Sequence, residues 1–258
     1  MKQSWKWAAV AAVAGSLALA QKPKSNKERD AIIAVQNALT PDARMEAIEN
    51  MLTNFADTEY KAILLETAID MALQKNDPVQ TTIYAERLLE ADPKNLNAIS
   101  TLATVTGNGI RENDLDKEDK LKRVDELTGQ CLKIGPEATN PNKLRTDEVW
   151  EQTRATYLAG CHEAVAATAI LRKKPDVAVS EYQASLAARK DPATMVRLGQ
   201  VLSVTKRYDE AIAMFEQAQN FPDVHPTIKQ VASNERVKTI MARQKAKSQA
   251  DVSIPQKQ

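Results

Sequence analysis

The chain is poor in the residues from which β-sheets and Gly-rich catalytic loops are built. Aromatic residues make up 4% of its 258 residues, and it contains 7 glycines and 2 histidines. Alanine and leucine are prominent within a hydrophobic fraction of 43%. These residues favour close-packed helices, whereas β-sandwiches and barrels are rich in aromatic and β-branched residues. The composition therefore predicts an all-α globular protein.

Motifs for catalysis, cofactors and metals are also missing. No Gly-rich phosphate loop, G-x-S-x-G or C-x-x-C occurs. His162-Glu163 matches the start of the zinc-binding helix H-E-x-x-H, but Ala166 stands where the second histidine is needed. The acidic run from Asp114 fails as an EF-hand because Asp119 occupies the position of the required glycine. We therefore expect no enzymatic activity, no cofactor and no metal site.

Charge of one sign is not in excess. The chain has 35 Lys and Arg residues against 34 Asp and Glu, a formal net charge of +1. The two signs are mixed along the chain, so no basic stripe forms. Nucleic acid is therefore not expected as a partner.

Residues 1–20 form a separate segment. Two lysines flank its start, the run from Trp7 to Leu19 is apolar, and Ala18-Leu19-Ala20 supplies an A-x-A cleavage motif. This pattern is typical of a secretory signal peptide. The run is shorter than the roughly 20 residues of a membrane span, so no stable membrane insertion is expected after cleavage. We expect a periplasmic or secreted bacterial protein; the alternative is an anchor formed by an uncleaved N-terminal segment.

Residues 195–222 contain the most informative pattern. Apolar and small residues recur there at helical spacing: Met195, Leu198, Gly199, Leu202, Ala211, Phe215, Ala218 and finally Pro222. This pattern resembles the tetratricopeptide (TPR) repeat, a helix–turn–helix unit of about 34 residues. Gly199 and Ala211 are small where two helices approach closely. One unit cannot bury its apolar face alone, so neighbouring repeats are expected.

Other segments match the same pattern less completely. Ala178 and Tyr182 stand one period before Ala211 and Phe215, and Asp92-Pro93-Lys94-Asn95 resembles the closing turn of a repeat. The resemblance implies an array over residues 28–225, with repeats at 28–61, 62–95, 96–138, 159–191 and 192–225. It implies an all-α fold of antiparallel helix pairs stacked into a right-handed TPR superhelix.

Several segments depart from the period. Glycines and charges predict an inserted loop at 107–119 in the third repeat. Residues 139–158 are predicted as a helical extension that runs from Asp147 into the fourth repeat. The remaining segments are an N-terminal linker at 21–27, an amphipathic capping helix at 226–247 and a disordered tail at 248–258.

The resemblance also implies a partner site. TPR arrays present a concave groove, lined by the first helix of each repeat, that commonly takes a peptide or helix of another protein. The corresponding positions here are Glu66, Asp70, Asn97, Ser100, Thr104, Glu163, Gln200 and Ser203. The alternative for each is a polar side chain on a solvated helix face. Three of them are acids, which favours a basic or polar ligand.

The two cysteines fall on helices that the resemblance makes neighbours. Cys131 lies near the end of a second helix, and Cys161 lies near the start of the next first helix. Because these helices pack antiparallel in TPR arrays, and because an exported protein meets an oxidising compartment, a Cys131–Cys161 disulfide is one expectation. The alternative is two buried thiols that pack as small apolar residues.

These patterns together predict an exported TPR scaffold for protein–protein interaction, possible settings being cell-envelope assembly or a larger complex. Two alternatives stay open. One is an RNA-binding helical repeat protein, which the missing basic stripe and the export signal disfavour. The other is an enzyme with a site in the loop around Asp114 and Asp116, where no nucleophile–base pair supports it. The oligomeric state does not follow from these residues.

Overall fold

A computed structural model describes residues 22–141 and 145–252, with side chains as far as Gln249. The described residues form eleven α-helices and one short 3-10 helix, Gly135–Glu137, and no strand occurs among them. The α-helices are α1 (Asn26–Asn37), α2 (Pro41–Asn54), α3 (Lys61–Gln74), α4 (Pro78–Ala91), α5 (Leu96–Gly109), α6 (Lys117–Ile134), α7 (Asp147–Leu171), α8 (Pro175–Ala188), α9 (Pro192–Val204), α10 (Tyr208–Gln219) and α11 (Pro226–Val252). The all-α prediction is confirmed. The predicted signal peptide at residues 1–20 lies outside the described residues.

Several helices begin where a side chain satisfies the free N–H groups of the first turn. The side chains of Ser25, Thr40, Asp77 and Asp191 each accept a hydrogen bond from the backbone N–H three residues later. A proline begins α2, α4, α8 and α9, at a position where its missing N–H has no intrahelical partner to lose. The Asp-Pro pairs at 77–78 and 191–192 therefore mark helix starts.

The turns inside three helix pairs share one backbone geometry. Asn76, Lys173 and Lys206 have positive φ angles of 52°, 56° and 64°. The residue after each donates its N–H to a carbonyl five residues back: Asp77 to Ala72, Lys174 to Ala169 and Arg207 to Leu202. This is the Schellman ending of a helix. Its recurrence shows in the backbone the repeat that the sequence pattern predicts.

The chain divides into two compact units. The first unit holds the described residues up to Thr106 together with Gly129–Tyr157. Within it α1, α2, α3 and α4 pack in chain order, and short turns make neighbouring helices antiparallel. The core of this unit includes the fully buried side chains of Ile48, Leu65 and Leu88.

The second unit holds Gly107–Thr128 and the described residues from Leu158 onward. Here α8, α9, α10 and α11 pack in order, and α11 also contacts α9. Gly199 faces the ring of Phe215, as the small-residue position of the repeat predicts: a Cβ at Gly199 would lie 2.6 Å from Phe215 Cε1. On α11, Ala232 is fully buried, so this helix covers the last repeat.

Three predicted boundaries need correction. The inserted loop is shorter than 107–119, because α5 continues through Gly107 to Gly109 and α6 begins at Lys117. A glycine costs a helix only about 1 kcal/mol, which the helical hydrogen bonds tolerate. The linker predicted at 21–27 ends earlier, since Ser25 caps α1. The tail predicted as disordered from 248 is helical to Val252, and residues 253–258 lie outside the described part.

Candidate partner-binding site

Two acids stand on one face of α3 because the rest of the helix is used for packing. Leu64, Leu65 and Ile69 are fully buried in the core of the first unit. Glu66 and Asp70 are four residues apart, which places both on the same helix face, away from these apolar residues. Both were predicted as partner-contacting residues. The amphipathic pattern of α3 therefore presents a pair of carboxylates.

A cavity of about 490 Å³ lies in front of Glu66. Its wall is formed by α3, the start of α5, the segment after α6 and the first turns of α7, all within the first unit. The polar and aromatic residues that matter most are Glu66, Asn95, Asn97, Arg145, Trp150 and Tyr157. Other charged residues that line it are Asp92, Lys94, Lys133 and Glu137. We call this space the polar cavity.

Burial and mutual repulsion act on the two acids. Burial raises the pKa of Glu66, against a hydrogen bond from the Asn95 amide (3.4 Å) and the nearby Arg145 guanidinium, which lower it. Burial and the adjacent Glu66 raise the pKa of Asp70 to about 6, and Arg145 again opposes the shift. Asp70 is nevertheless exposed to solvent. Many protein atoms surround its carboxylate, but one side of the side chain is open. Both carboxylates would be stabilised by an added positive charge.

Arg145 and Trp150 also line the polar cavity. The Trp150 indole N–H donates to the carbonyl of Ala138 at 3.1 Å. The Asn140 amide donates to the carbonyl of Arg145 at 2.7 Å, which ties this segment to the start of α7. The Arg145 guanidinium lies over the Trp150 ring, 5.9 Å from its centroid, at cation–π distance. A cation of the chain itself thus lies near the two acids.

Asn97 presents a hydrogen-bond donor to the polar cavity. The residue is 8% exposed and lines the cavity wall. Its Oδ1 accepts a hydrogen bond from the Thr101 hydroxyl at 3.1 Å. Its Nδ2 has no protein acceptor among the described residues. The Asn97 Nδ2 is not one of the fully buried, unsatisfied atoms of the described residues, so it reaches the cavity, where a ligand carbonyl could accept its hydrogen bond.

The other predicted residues of the first unit bond within the chain. The Ser100 hydroxyl donates to the carbonyl of Tyr157 on α7 at 2.8 Å. The Thr104 hydroxyl donates to the carbonyl of Ser100 at 2.8 Å. The first bond joins α5 to α7 and the second lies within α5, so both hydroxyls make contacts within the chain.

In the second unit, two predicted residues also serve internal contacts. Glu163 accepts hydrogen bonds from Ser185 (3.3 Å) and Thr194 (2.6 Å) and pairs with Arg197 (3.0 Å). These bonds join α7 to α8 and α9. The Ser203 hydroxyl lies 2.9 Å from that of Thr239 on α11. The same side chains that would suit a groove therefore join neighbouring helices.

Gln200 lies in a different environment. It lines an apolar groove of about 530 Å³ together with Tyr182, Val201 and Val204. Val204 is 83% exposed, and Ile170, which also lines the groove, is 45% exposed. The second unit therefore has an apolar groove, and the first unit has a polar cavity.

Neither cysteine of the chain is free in the structure. Cys131 in α6 and Cys161 in α7 are both fully buried, and both are disulfide-bonded. A bridge of this kind is the expectation drawn above from the packing of TPR helices, and thiol counting tests it.

The acids of the inserted loop are tied to nearby bases. Asp114 accepts hydrogen bonds from the Arg111 N–H at 3.0 Å and from Lys120 Nζ at 2.9 Å. Asp116 pairs with the same Lys120 at 2.9 Å. Within the described ranges, no group of three or more His, Cys, Asp or Glu side chains is placed to hold a metal ion.

In the part of the chain that the structure describes, no helix is both long enough and apolar enough to cross a membrane.

Arg145, Trp150 and Tyr157 were not singled out as site residues from the sequence. They lie in the 139–158 extension, outside the repeat pattern that located the other candidates. An available signal was the arginine five residues before the only tryptophan outside the N-terminal segment. An aromatic residue is a candidate neighbour for a cation, but sequence spacing does not show which acids face them.

Comparison with solved structures agrees with this architecture. The crystal structure of a thermophilic TPR protein of Thermus thermophilus is similar, with a TM-score of 0.55. The likeness covers 76% of this chain and 91% of that chain at 14% sequence identity. The fold is that of a TPR array. At this identity the likeness concerns the fold alone. No family model matches the chain, and no curated protein matches it.

Proposed function

We propose that this chain is an exported, non-enzymatic TPR scaffold. It binds a protein partner through the surface formed by the first helix of each repeat. The observation that carries the proposal is the polar cavity, which Glu66 and Asn97 line. Among the described residues, neither Glu66 nor the adjacent Asp70 forms an ion pair, and the Asn97 Nδ2 has no acceptor. Repeat folds of this class bind proteins through surfaces of stacked helices. Cell-envelope assembly is the setting we infer.

Export is supported by two features of different kinds. The N-terminal residues carry the lysines, the apolar run and the A-x-A motif of a signal peptide. Both cysteines are disulfide-bonded in the structure, and disulfides persist in oxidising compartments such as the bacterial periplasm. Intact mass of the protein from fractionated cells tests this: export predicts a chain that starts at Gln21 in the periplasmic or secreted fraction. A chain that starts at Met1 in the cytoplasm would contradict it.

The partner-binding proposal is tested by pull-down from envelope extract with the mature chain, residues 21–258. A first variant, Glu66→Gln with Asp70→Asn, removes the charge of Glu66 at the polar cavity and that of Asp70 one helical turn away, and keeps the side-chain shapes. Its matched control is Glu118→Gln with Asp119→Asn, two exposed acids at the start of α6. We expect a partner that the control retains and the first variant loses.

A second pair of variants tests the apolar groove. Val204→Ser changes a highly exposed residue of that groove, and Leu115→Ser changes a highly exposed apolar residue of the inserted loop. A partner lost only with Val204→Ser would assign binding to the second unit. Circular dichroism first establishes that each variant is helical. Absence of any specific partner from the parent chain would contradict the scaffold proposal.

A further inference from the structure

Glu66 lines the polar cavity, Asp70 lies one helical turn further along α3, and Lys94, Lys133 and Arg145 also line the cavity. Among the described residues, no Lys or Arg side chain forms an ion pair with Glu66 or Asp70, although Arg145 is near enough to lower the pKa of both. Asn95 donates one hydrogen bond to Glu66. Both acids lie on the same helix face. A cation that entered between them would meet two carboxylates at once.

The side-chain amide of Asn97 indicates which group would enter the cavity together with that cation. Asn97 is largely buried as a residue, and its Nδ2 lacks a protein acceptor among the described residues. Since the residue lines the cavity, the amide can donate to an acceptor that enters from solvent. Backbone carbonyls are the acceptors that every peptide segment carries.

The chain places one guanidinium, that of Arg145, at the polar cavity. Arg145 lines the cavity, lies over Trp150 and acts on the charges of Glu66, Asp70 and Tyr157. Its guanidinium makes no hydrogen bond to an acceptor in the described residues. It therefore acts on the two acids through its charge alone, as a weakly held competitor for an incoming cation would.

We propose that the polar cavity binds an arginine or lysine side chain of a partner protein segment, with Glu66 and Asp70 facing the cation and Asn97 donating to a carbonyl of the same segment. Arg145 competes with the incoming cation and is displaced by it. This inference rests on the proposed function and assigns the chemistry of its partner. It distinguishes a basic protein segment from a free amine, because only the segment supplies the carbonyl for Asn97.

Calorimetric titration of the mature chain with blocked peptides tests the inference. The probe is acetyl-Ala-Arg-Ala-amide, its neutral isostere carries citrulline in place of arginine, and methylguanidinium serves as the cation without a peptide. We expect the arginine peptide to bind at least about tenfold more tightly than the citrulline peptide, the factor that about 1.4 kcal/mol produces. Methylguanidinium should bind more weakly than the arginine peptide.

Variants assign the contacts. Glu66→Gln with Asp70→Asn should weaken the arginine peptide about tenfold or more, while Glu118→Gln with Asp119→Asn leaves it unchanged. Asn97→Ala should weaken the arginine peptide but not methylguanidinium. Arg145→Gln should tighten the arginine peptide several-fold because the internal competitor is gone. A merely structural role of Arg145 predicts equal or weaker binding.

Several results would overturn the inference. Equal binding of the arginine and citrulline peptides, or unchanged binding by the Glu66 and Asp70 variant, would show that charge is not recognised. In another such result, methylguanidinium binds as tightly as the peptide, with no effect of Asn97→Ala on either. That result would make the cavity a site for small free cations.

The pull-down separates this inference from the proposed function. A partner that the parent retains, and that the Glu66 and Asp70 variant retains equally, would leave the scaffold proposal standing and overturn the basic-segment inference. Charge-selective peptide binding without any captured protein would support the inference and contradict the proposed scaffold.

Discussion

At the residue scale, the contact between Gly199 and Phe215 determines how closely α9 and α10 approach. A Cβ at Gly199 would lie 2.6 Å from Cε1 and 2.8 Å from Cζ of the Phe215 ring. That ring is fully buried, so it has little room to move away. Gly129, in the interior of α6, has no atom within 4 Å of the corresponding position. The same substitution should therefore have opposite effects at the two sites.

Gly199→Ala should lower the free energy of unfolding by about 1–3 kcal/mol, the usual cost of an overpacked core. Gly129→Ala should raise it by up to about 1 kcal/mol, because alanine is the better helix former. Urea unfolding followed by circular dichroism measures both. Stabilisation by Gly199→Ala to the same degree as by Gly129→Ala would show that the helices can separate without cost.

Asp70 gives a pH-dependent prediction at the same scale. Its pKa in the folded chain is about 6, above the ordinary value of 3.8, so the folded state holds the proton more tightly than the unfolded state. The stability from this group is present below about pH 4 and is lost as pH rises to about 6. Glu66 and Arg145 are the charges that act on it, and it acts on Tyr157.

Asp70→Asn should therefore gain stability relative to the parent chain between about pH 4 and pH 6 and keep the gain above. Because the side chain reaches solvent, screening should hold the gain to about 1 kcal/mol. Urea midpoints at about pH 4 and pH 7 measure the difference, with Asp119→Asn as the control for loss of one negative charge. Parallel stability profiles of parent and Asp70→Asn would contradict the raised pKa.

At the scale of elements, the repeated Schellman turns predict how substitutions at the turn rank in stability. Lys206 has a φ of 64° and an exposed side chain. A non-glycine residue in this left-handed region costs roughly 1 kcal/mol, and a β-branched residue costs more. Lys206→Gly should therefore stabilise the chain by up to about 1 kcal/mol, and Lys206→Val should destabilise it. The thermal unfolding midpoints of the two variants rank their stability. A Lys206→Val variant more stable than the parent chain would refute the predicted order.

The helices and loops also show how much of the fold could be predicted from the sequence. Gly199, Ala211 and Phe215 identified one repeat because packing between paired helices requires small and large residues at set positions. Loop boundaries were less accurate. Gly107 reads as a loop residue in the sequence, yet α5 passes through it, since a single glycine weakens a helix without ending it.

The candidate site was only partly accessible to the same reasoning. Glu66 and Asn97 follow from their positions in the repeat, and the structure places both at the polar cavity. Glu163 follows from the same rule, but Ser185, Thr194 and Arg197 engage its carboxylate. A polar residue at a groove position does not reveal whether its partner belongs to the same chain. That distinction requires the tertiary contacts.

At the scale of the whole molecule, the predicted Cys131–Cys161 bridge links redox state to stability. A disulfide that closes a loop of this size contributes about 3–4 kcal/mol in the chain-entropy description. Protein from the native compartment should show no free thiol under denaturing, non-reducing conditions. Reduction should lower its urea midpoint, and the variant Cys131→Ser with Cys161→Ser should not respond to reductant. Two free thiols in the native protein would refute the bridge.

The position of Trp150 has a consequence for observing this protein. The chain has 3 tryptophans, and the other two, Trp5 and Trp7, lie in the predicted signal peptide. The mature chain would then carry one indole, which is 5% exposed and lies beneath Arg145 at the wall of the polar cavity. All its intrinsic tryptophan fluorescence would arise from this one place. Displacement of Arg145 would change the emission of an unlabelled protein, so occupancy of the cavity can be followed optically.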